Sequence, residues 1–335
     1  MRVTQEPVLR KFWYCIMPIG DLDDGPKPFR LLGEKIALWK DADGVPHAVK
    51  DRCLHRSAML SAGTVDDGNI VCPYHGWAFD GTGLCVRVPQ EPIQKPKPFG
   101  VASYRCAERY GYVWVALEEP IYDIPVIAEF GQPGFRQIHE FVEEWACPPL
   151  RLMENAFDNA HIFFVHRNTF GDTSPIPVEN QFEDTPDGFI THTVVPVKNP
   201  PRMRDALRTT KAETVRHMAN RYYTPASFRV GRIDYPNGLT NILCTAATPI
   251  DDKLTRRIQF VLRNDTEAET PSAKVIAFDR EVGDEDKWVV ETTEEDVPLD
   301  TSEGVEVSMP VDRPGILMRK QLREIIRQHR QAARA

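Results

Sequence analysis

The first third of the chain consists of short runs of apolar or alternating apolar and polar residues. Turn-forming pairs such as Asp43-Gly44 and Asp67-Gly68 separate several of these runs, and this combination predicts strands joined by tight turns. Many short strands with glycine-containing turns predict a small antiparallel barrel or sandwich. The runs cover residues 31–32, 36–39, 45–49, 69–72, 77–79, 85–88 and 112–117.

The pattern changes after a proline-rich stretch at residues 120–133. Proline cannot donate to a sheet ladder, so this stretch predicts a domain boundary. Residues 150–164 have helical character, four strand-like runs follow, and two helices are predicted to close the chain. Strands framed by helices predict an α+β domain. The predicted strands cover 188–197, 226–233, 240–248 and 255–262, and the helices cover about 272–292 and 316–329. The expected division is an N-terminal domain over 1–119 with its core at about 12–118, a linker over 120–140, and a second domain over 141–335.

Composition narrows the class of protein. A chain of 335 residues with 41% hydrophobic residues suits about two domains with substantial cores. The formal net charge of −8 argues against a protein that binds the phosphate backbone of nucleic acids. No apolar run approaches the ~18 residues that a membrane span requires. We therefore expect a globular protein that binds neither nucleic acid nor membrane.

The N-terminus loosely resembles an export signal, because Arg10 and Lys11 precede an apolar run at residues 12–20. Pro18 interrupts this run and acidic residues follow it at once, so we expect the first strand of a folded domain and a cytoplasmic location. The chain has seven cysteines. An odd number of cysteines in a long chain without an export signal fits metal-binding thiols better than a disulfide framework.

The strongest chemical signal is a repeated cysteine–histidine pair. Cys53-Leu54-His55 is followed, after sixteen residues, by Cys72-Pro73-Tyr74-His75. Two cysteines and two histidines can hold a Rieske [2Fe–2S] cluster, whose imidazole ligands raise the reduction potential to about −150 to +300 mV. The competing interpretation is a structural zinc site. Zinc spacings usually place like residues together, whereas here each half is cysteine then histidine, and this order favours the cluster.

A second constellation surrounds His161 and His166. Asn155 and Asp158 precede His161 at helical spacing, so these three residues share one broad face of the predicted helix. His161 and His166 are about 140° apart around a regular helix, too far to meet one ion at ~2.1 Å. The helix is therefore expected to loosen or end between them.

Two histidines and one carboxylate form the iron site of non-haem oxygenases. The late candidates for the carboxylate are Asp279 and Asp286. They are seven residues apart, so helical periodicity places both on one face and does not choose between them.

With both constellations in this order, the chain resembles the Rieske non-haem iron oxygenases, and most closely the shorter monooxygenases and O- or N-demethylases. The resemblance spans nearly the whole chain. It rests on Cys53-x-His55, Cys72-Pro-Tyr-His75-Gly-Trp77, Asn155-x-x-Asp158-x-x-His161-x₄-His166 and Glu285-Asp286-Lys287-x-Val289-Val290-Glu291.

The resemblance implies a role for each motif residue and a fold for each domain. The fold is a Rieske antiparallel β-domain followed by a helix-grip catalytic domain with a central antiparallel sheet, assembled as a head-to-tail homotrimer. Asp158 would bridge a cluster histidine and an iron histidine across the subunit boundary, and Asn155 would lie close to the iron. The implied cluster residues are Cys53, His55, Cys72 and His75, and the implied Fe²⁺ residues are His161, His166 and Asp286, with Asp279 as second choice for the carboxylate.

The same resemblance implies an oxygenase component that uses O₂ to hydroxylate or oxidatively demethylate a small aromatic or cyclic substrate. The chain carries no nicotinamide or flavin motif, so we expect a separate NAD(P)H-dependent reductase or ferredoxin to supply electrons. One alternative is a Rieske electron-transfer protein whose C-terminal domain only binds a ligand. Another is an interaction protein stabilised by zinc.

Two basic segments bear on partners. Residues 198–221 are rich in lysine and arginine, and an exposed helix is favoured there over a mobile lid that attracts a carboxylated substrate. Residues 316–330 place arginines opposite an apolar face. We interpret these arginines as a solvated face rather than a docking site for an acidic electron carrier. They are Arg319, Arg323, Arg327 and Arg330.

Overall fold

The structure is a computed structural model that describes residues 1–92, 96–171, 179–201, 204–296, 298–332 and 334. The chain divides into two compact units. The N-terminal unit contains residues 2–124 and 248–252, and the C-terminal unit contains residue 1 and residues 125–247 and 253–335. The division after Ile124 lies within the stretch that the prolines predict to be a linker.

Two antiparallel sheets build the N-terminal unit, and the predicted all-β character of this region is confirmed. A six-stranded sheet has the order β1-β10-β9-β4-β3-β2, and a four-stranded sheet has the order β5-β6-β7-β8. The strands are β1 Tyr14–Pro18, β2 Lys27–Leu31, β3 Glu34–Lys40, β4 Pro46–Lys50, β5 Thr64–Asp66, β6 Asn69–Val71, β7 Ala78–Phe79, β8 Cys85–Arg87, β9 Ser103–Arg109 and β10 Tyr112–Ala116. The apolar run near the N-terminus is therefore the first strand of a folded domain, as expected.

The core of the N-terminal unit surrounds the two cysteine motifs. Cys53 and Cys72 are buried together with Trp39, Leu60 and Phe79 in one hydrophobic cluster. Cys53 follows β4, and Cys72 lies between β6 and β7. Both motif loops thus pack against the same hydrophobic core.

A seven-stranded antiparallel sheet forms the centre of the C-terminal unit, in the order β11-β17-β16-β15-β14-β13-β12. Strands β12 to β17 are sequential neighbours, and β11 pairs with β17 at the other edge. The strands are β11 Arg136–Trp145, β12 Gln181–Thr185, β13 Gly188–Lys198, β14 Glu213–Tyr223, β15 Phe228–Asp234, β16 Thr240–Pro249 and β17 Thr255–Arg263.

Four α-helices accompany this sheet within the described residues. Apolar side chains of the helices pack with Trp145 of β11 and Phe189 of β13 in one buried cluster. The predicted α+β architecture with a central antiparallel sheet is confirmed. None of the described helices is both long and apolar enough to cross a membrane. The helices are α1 Pro149–Phe157, α2 Ile162–Val165, α3 Ser272–Val290 and α4 Arg313–Ala332.

The structure corrects both interpretations of the basic segments. The exposed helix over residues 198–221 is wrong, because β13 runs to Lys198, β14 begins at Glu213, and Arg216 of β14 is buried. The solvated face on α4 is wrong for Arg319, which is buried. Its guanidinium pairs with the carboxylates of Glu154 and Glu306, and these two charges make its burial tolerable.

Candidate metal centres

Two loops of nearly the same construction present the cysteine–histidine pairs of the N-terminal unit. The amide of Ser57 donates to the carbonyl of Cys53 at 3.0 Å, and the amide of Gly76 donates to the carbonyl of Cys72 at 3.0 Å. Both closing residues have positive φ, 59° at Ser57 and 72° at Gly76. Each cysteine therefore starts a five-residue turn whose last residue is left-handed, and the histidine lies within this turn, two positions after Cys53 and three positions after Cys72.

The four side chains gather at the tips of these loops. The cysteines are buried, whereas the imidazoles of His55 and His75 are half-buried, with ring centroids 4.5 Å apart. Trp77 stacks on His55 at 4.7 Å with an interplanar angle of 4° and so fixes the plane of that ring. The thiols are thus buried and the imidazoles partly exposed, which fits a cluster with one iron held by cysteines and the other by histidines.

The protonation preferences of these groups fit metal ligands. Burial, together with the neighbouring Cys72, raises the pKa of Cys53 to about 11, so metal binding has to displace the thiol proton. Desolvation and the neighbouring His75 lower the pKa of His55, which keeps that imidazole neutral. Nδ1 of His55 is buried and has no hydrogen-bond partner. A buried nitrogen without a partner is explained when it ligates a metal.

A break in the helix positions the two histidines of the C-terminal unit. α1 ends at Phe157, and Asp158 adopts extended dihedrals of φ −82° and ψ 126°. The Asp158 carboxylate then accepts hydrogen bonds from the amides of Ala160 at 2.7 Å and His161 at 3.3 Å. Aspartate side chains stabilise turns of this kind. The chain thus breaks before His161, and α2 ends at Val165, so the expected end of the helix between the two histidines is present as well.

His161 and His166 flank the single turn α2 and direct their rings toward α3. Their Nε2 atoms are 3.2 Å apart. Oδ1 of Asp286, on α3, lies 3.4 Å from Nε2 of His161 and 3.2 Å from Nε2 of His166. Among the residues that the structure describes, these three alone form a group of metal-ligating atoms within 4.8 Å of one another. Ligands at right angles about 2.1 Å from one ion lie roughly 3 Å apart, so the group suits one metal ion.

The four side chains of the cluster loops do not form such a single-ion group within the described chain. A tetrahedral zinc site brings four ligand atoms around one ion. The N-terminal arrangement therefore fits a two-iron cluster better than zinc.

Asp279 does not join the histidines. It lies on α3 two turns before Asp286, so the two carboxylates are about 10 Å apart along the helix axis at 1.5 Å per residue. Asp279 is buried near Glu140 of β11, and burial raises the pKa of both carboxyl groups. Helical periodicity gives the face of a residue but not its depth, and this is why spacing left the choice open.

Asn155 and Asp158 lie beside the histidines in different ways. Burial raises the pKa of Asp286, but His166 and His161, with a smaller contribution from Asn155, outweigh burial and lower it. Oδ2 of Asp158 is 3.4 Å from Nδ1 of His161, and the Asp158 side chain is 35% exposed. Asp158 thus contacts a candidate iron residue on one side and is open to solvent on the other.

Glu285 is a functional candidate to which sequence reasoning assigned no role. Its Oε2 lies 2.8 Å from Nδ1 of His166 and accepts a hydrogen bond from Oγ of Thr169 at 2.8 Å. Burial lowers the pKa of His166, but hydrogen bonds that its ring donates to the carboxylates of Asp286 and Glu285 outweigh burial and raise it. Metal-ligating histidines usually donate their second N–H to a carboxylate. That rule could have prompted a search for a carboxylate partner of His166. Spacing does not identify Glu285 as this partner, because 119 residues separate the two.

The three candidate metal-ligating side chains line a cavity of about 120 Å³. Its wall combines residues of α2 and α3 with inward-facing residues of the sheet, including Arg216, Met218 and Asn220 of β14. A second cavity, of about 540 Å³, shares Asn155, Asp158 and His161 with the first and extends toward α4. The centre is therefore accessible from two sides.

Comparisons with known proteins identify both regions. Residues 12–105 match the family model of the Rieske [2Fe-2S] domain, and residues 145–328 match that of the vanillate O-demethylase oxygenase C-terminal domain. Methylxanthine N1-demethylase NdmA of Pseudomonas putida is 28% identical over 98% of this chain and 92% of its own. Methylxanthine N3-demethylase NdmB of the same organism is 28% identical over 95% of this chain and 89% of its own.

Solved structures agree on the fold. An NdmA QL mutant with caffeine, from Pseudomonas putida, has a TM-score of 0.81 and 28% identity, covering 97% of this chain and 92% of that one. Dicamba monooxygenase bound to dicamba has a TM-score of 0.83 at 22% identity, covering 96% and 99% of the two chains, and supports the fold alone. The protein belongs to the Rieske non-haem iron oxygenases, uses a [2Fe–2S] cluster and Fe²⁺, and works with electrons from a separate reductase or ferredoxin.

Proposed function

We propose that this chain is the oxygenase component of an oxidative demethylase for a small aromatic or cyclic substrate. The convergence of His161, His166 and Asp286 on one point at the wall of a cavity carries the proposal. Its relatives NdmA and NdmB are N-demethylases. In the reaction, one oxygen atom of O₂ enters a methyl C–H bond, and the other leaves as water with two electrons and two protons. The resulting hemiaminal or hemiacetal then loses formaldehyde and leaves the demethylated amine or alcohol.

Each candidate residue has a proposed role in this reaction. A Rieske cluster supplies single electrons, and a ferrous ion with open coordination positions supplies O₂ activation. Asn155 lines the same cavity as the proposed iron residues and contributes to the lowered pKa of Asp286. The cluster residues are Cys53, His55, Cys72 and His75, and the iron residues are His161, His166 and Asp286.

Residues around the iron site orient the ligands. Glu285 accepts a hydrogen bond from Nδ1–H of His166, which leaves Nε2 of the ring free to face the metal. Phe170 stacks on the His166 ring at 4.8 Å and holds its plane. The apolar side chains of Val195, Val197 and Phe278 in the cavity wall exclude water from the substrate.

We also propose a head-to-tail trimer in which Asp158 bridges the cluster of one subunit and the iron of the next. A heterologous ring pairs two different surfaces of the same chain. At the cluster loops, Leu54 is 51% and Tyr74 is 63% exposed. At the larger cavity beside Asp158, Val307 is 89% exposed. These apolar surfaces next to the two metal centres support the pairing.

The remaining assignments are proposals of the same kind. All seven cysteines are free, which supports a cytoplasmic location, where thiols stay reduced. For the domains we propose 1–119 for the Rieske domain, 120–140 for the linker and 141–335 for the catalytic domain. The dinucleotide-dependent step belongs to the separate reductase.

The test combines the holo-protein, a compatible reductase, O₂ and a panel of methoxy-aromatic and N-methylated compounds. We expect O₂ uptake and formaldehyde release in equal amounts with at least one compound. His161→Ala should abolish formaldehyde release while the visible absorption of the Rieske cluster remains. Unchanged function in His161→Ala would favour an electron-transfer protein and exclude the demethylase.

A further inference from the structure

Arg216 is a buried cation with unused hydrogen-bonding capacity. The residue is 6% exposed. Its Nε and Nη2 atoms are buried and have no hydrogen-bond partner. Buried guanidinium groups are normally paired and hydrogen-bonded, because an uncompensated buried charge is costly. The structure thus leaves one strong donor unsatisfied at a place where water does not reach it.

The position of Arg216 relates this donor to the iron site. Its guanidinium carbon lies 4.4 Å above the centre of the Phe170 ring, and Phe170 stacks on the His166 ring. A second ring, that of Tyr235, lies 5.8 Å from the same carbon. Arg216 and the three proposed iron residues line the same cavity. One aromatic ring therefore separates the unpaired guanidinium from a proposed iron ligand.

A second arginine in this cavity, the half-buried Arg229, has the hydrogen-bond acceptor that Arg216 lacks. Arg229 of β15 donates from Nε at 3.0 Å and from Nη2 at 2.7 Å to Oδ1 of Asn220. Arg216 has no such acceptor for the equivalent atoms. Asn241, which is also buried and lines the cavity, has an unpartnered Oδ1. The unsatisfied polar atoms of Arg216 and Asn241 thus border one cavity, and a ligand with polar atoms can complete both.

We propose that Arg216 determines substrate specificity by binding the carboxylate of a monocyclic aromatic substrate, whose methyl-bearing end points toward His161, His166 and Asp286. This inference rests on the proposed function. The guanidinium offers a planar fork of donors that matches the two oxygens of a carboxylate. The stacked Phe170 ring holds that fork in place through a cation–π contact. The ligand then supplies the hydrogen-bond acceptor that Nε and Nη2 of Arg216 lack, since the buried carboxyl of Asp279 in the same cavity interacts with the Arg216 charge but accepts no hydrogen bond from these two atoms.

The cavity beside the proposed iron residues has room for one ring of the substrate. Its volume of about 120 Å³ is close to the ~150 Å³ of an engineered cavity that binds benzene. A neutral analogue offers Nε and Nη2 of Arg216 no charged acceptor, so the site should bind it less tightly. Loss of one partner of a buried charge pair usually weakens binding by about 100-fold.

The experiment measures binding separately from turnover. Anaerobic calorimetry on the full-length holo-protein compares 3- and 4-methoxybenzoate with the matching methoxybenzamides. We expect at least one benzoate to bind about 100-fold more tightly than its amide. Arg216→Leu should remove this preference, and Arg216→Lys should retain part of it, because lysine keeps the charge but not the fork. The cluster absorption of each variant verifies folding.

Arg221→Leu is the matched control. Arg221 lies on the same strand five residues later, on the other face of the sheet, and pairs with Asp187. It should keep the preference for benzoate over benzamide. Equal binding of benzoate and benzamide by the wild-type protein, or unchanged benzoate binding in Arg216→Leu, overturns the inference.

Failure of the proposed function has a different signature. If the protein prefers benzoate through Arg216 but releases no formaldehyde from any methylated compound, the proposed demethylase activity is wrong and carboxylate binding by Arg216 stands. If it releases formaldehyde from neutral compounds and shows no preference for the anion, the demethylase activity stands and carboxylate binding by Arg216 is wrong.

Discussion

The two metal centres of this protein are built in opposite ways. In the N-terminal unit, two similar turns each contribute one thiol and one imidazole, and the four residues span positions 53–75 of the sequence. In the C-terminal unit, the histidines flank one helical turn, whereas Asp286 comes from α3, more than a hundred residues later. A site formed by local turns can be recognised in the sequence as a motif. A site formed by packing cannot, because it depends on which turn of a packed helix lies beside the other ligands.

The largest expected effect comes from comparing Asp286→Asn with Asp279→Asn. The comparison tests whether the position of a carboxylate along α3 decides which one belongs to the iron site. Asp286→Asn removes the only carboxylate that reaches both Nε2 atoms in the described chain. We expect loss of the mononuclear iron and a decrease of formaldehyde release by about 1000-fold, because the protein loses the ferrous ion that activates O₂. Iron analysis and the cluster absorption distinguish the two metals. Asp279→Asn should keep its iron, and the reverse result would assign the carboxylate to Asp279.

The same contrast explains what could be predicted from the sequence. Cys53, His55, Cys72 and His75 form a complete set on spacing alone. His161 and His166 could be paired, and the helix ends between them at Val165 as expected. The additional break before His161 was not predicted, because it depends on hydrogen bonds that the Asp158 carboxylate accepts from later amides. Glu285 was given no role, since its contact with His166 exists only after α3 packs.

Arg216 shows a further limit of pattern reading. A run of basic residues usually marks a solvated surface, and residues 198–221 were interpreted in that way. In the structure, the alternation of β14 turns Arg216 inward, where it stacks on Phe170. Alternation of apolar and polar residues identifies a strand only if the inward-facing residues are apolar. Because the inward-facing Arg216 is charged, the composition of this segment did not reveal that it forms a strand.

The second prediction concerns the exposed side of the iron site. Asp158→Asn keeps the shape of the side chain but removes the charge beside His161. We expect turnover and the rate at which reduced cluster is re-oxidised by O₂ and substrate to fall by about 100-fold, with both metal contents unchanged. Asp312→Asn, which removes a carboxylate from the same larger cavity, should have little effect. An unaltered re-oxidation rate in Asp158→Asn would exclude the proposed bridge.

The third prediction tests Glu285 as a positioning residue. Glu285→Leu removes the acceptor for Nδ1 of His166 and Oγ of Thr169, so the affinity for Fe²⁺ should fall by about 10- to 100-fold. Glu285→Gln retains an acceptor oxygen and should restore most of this affinity. Asp284→Asn, at the exposed neighbouring position, is the control. Competitive chelation measures the affinity directly, and equal affinities in Glu285→Leu and the wild type would refute the role.

The smallest effects come from two glycines that distinguish the centres by the backbone alone. A Cβ on Gly63 would lie 1.9 Å from the carbonyl oxygen of Val71, just before Cys72, and a Cβ on Gly171 would lie 2.4 Å from that of Ile162 in α2. Backbone cannot yield as a side chain does, so each alanine should cost about 1–3 kcal/mol of stability. Gly63→Ala should lower cluster content at constant mononuclear iron, whereas Gly171→Ala should do the opposite.

Gly20→Ala is the control for this pair, because its added Cβ would approach no atom closer than 3.9 Å. Metal analysis and thermal unfolding of the three variants give both readouts. If Gly63→Ala and Gly171→Ala each reduced both metals equally, the two centres would share one stability. The difference between a site formed by local turns and a site formed by packing would then apply to how the two sites appear in the sequence, but not to their stability. Selective loss instead means that each centre depends on its own backbone contacts, so that either can be altered without disassembling the other.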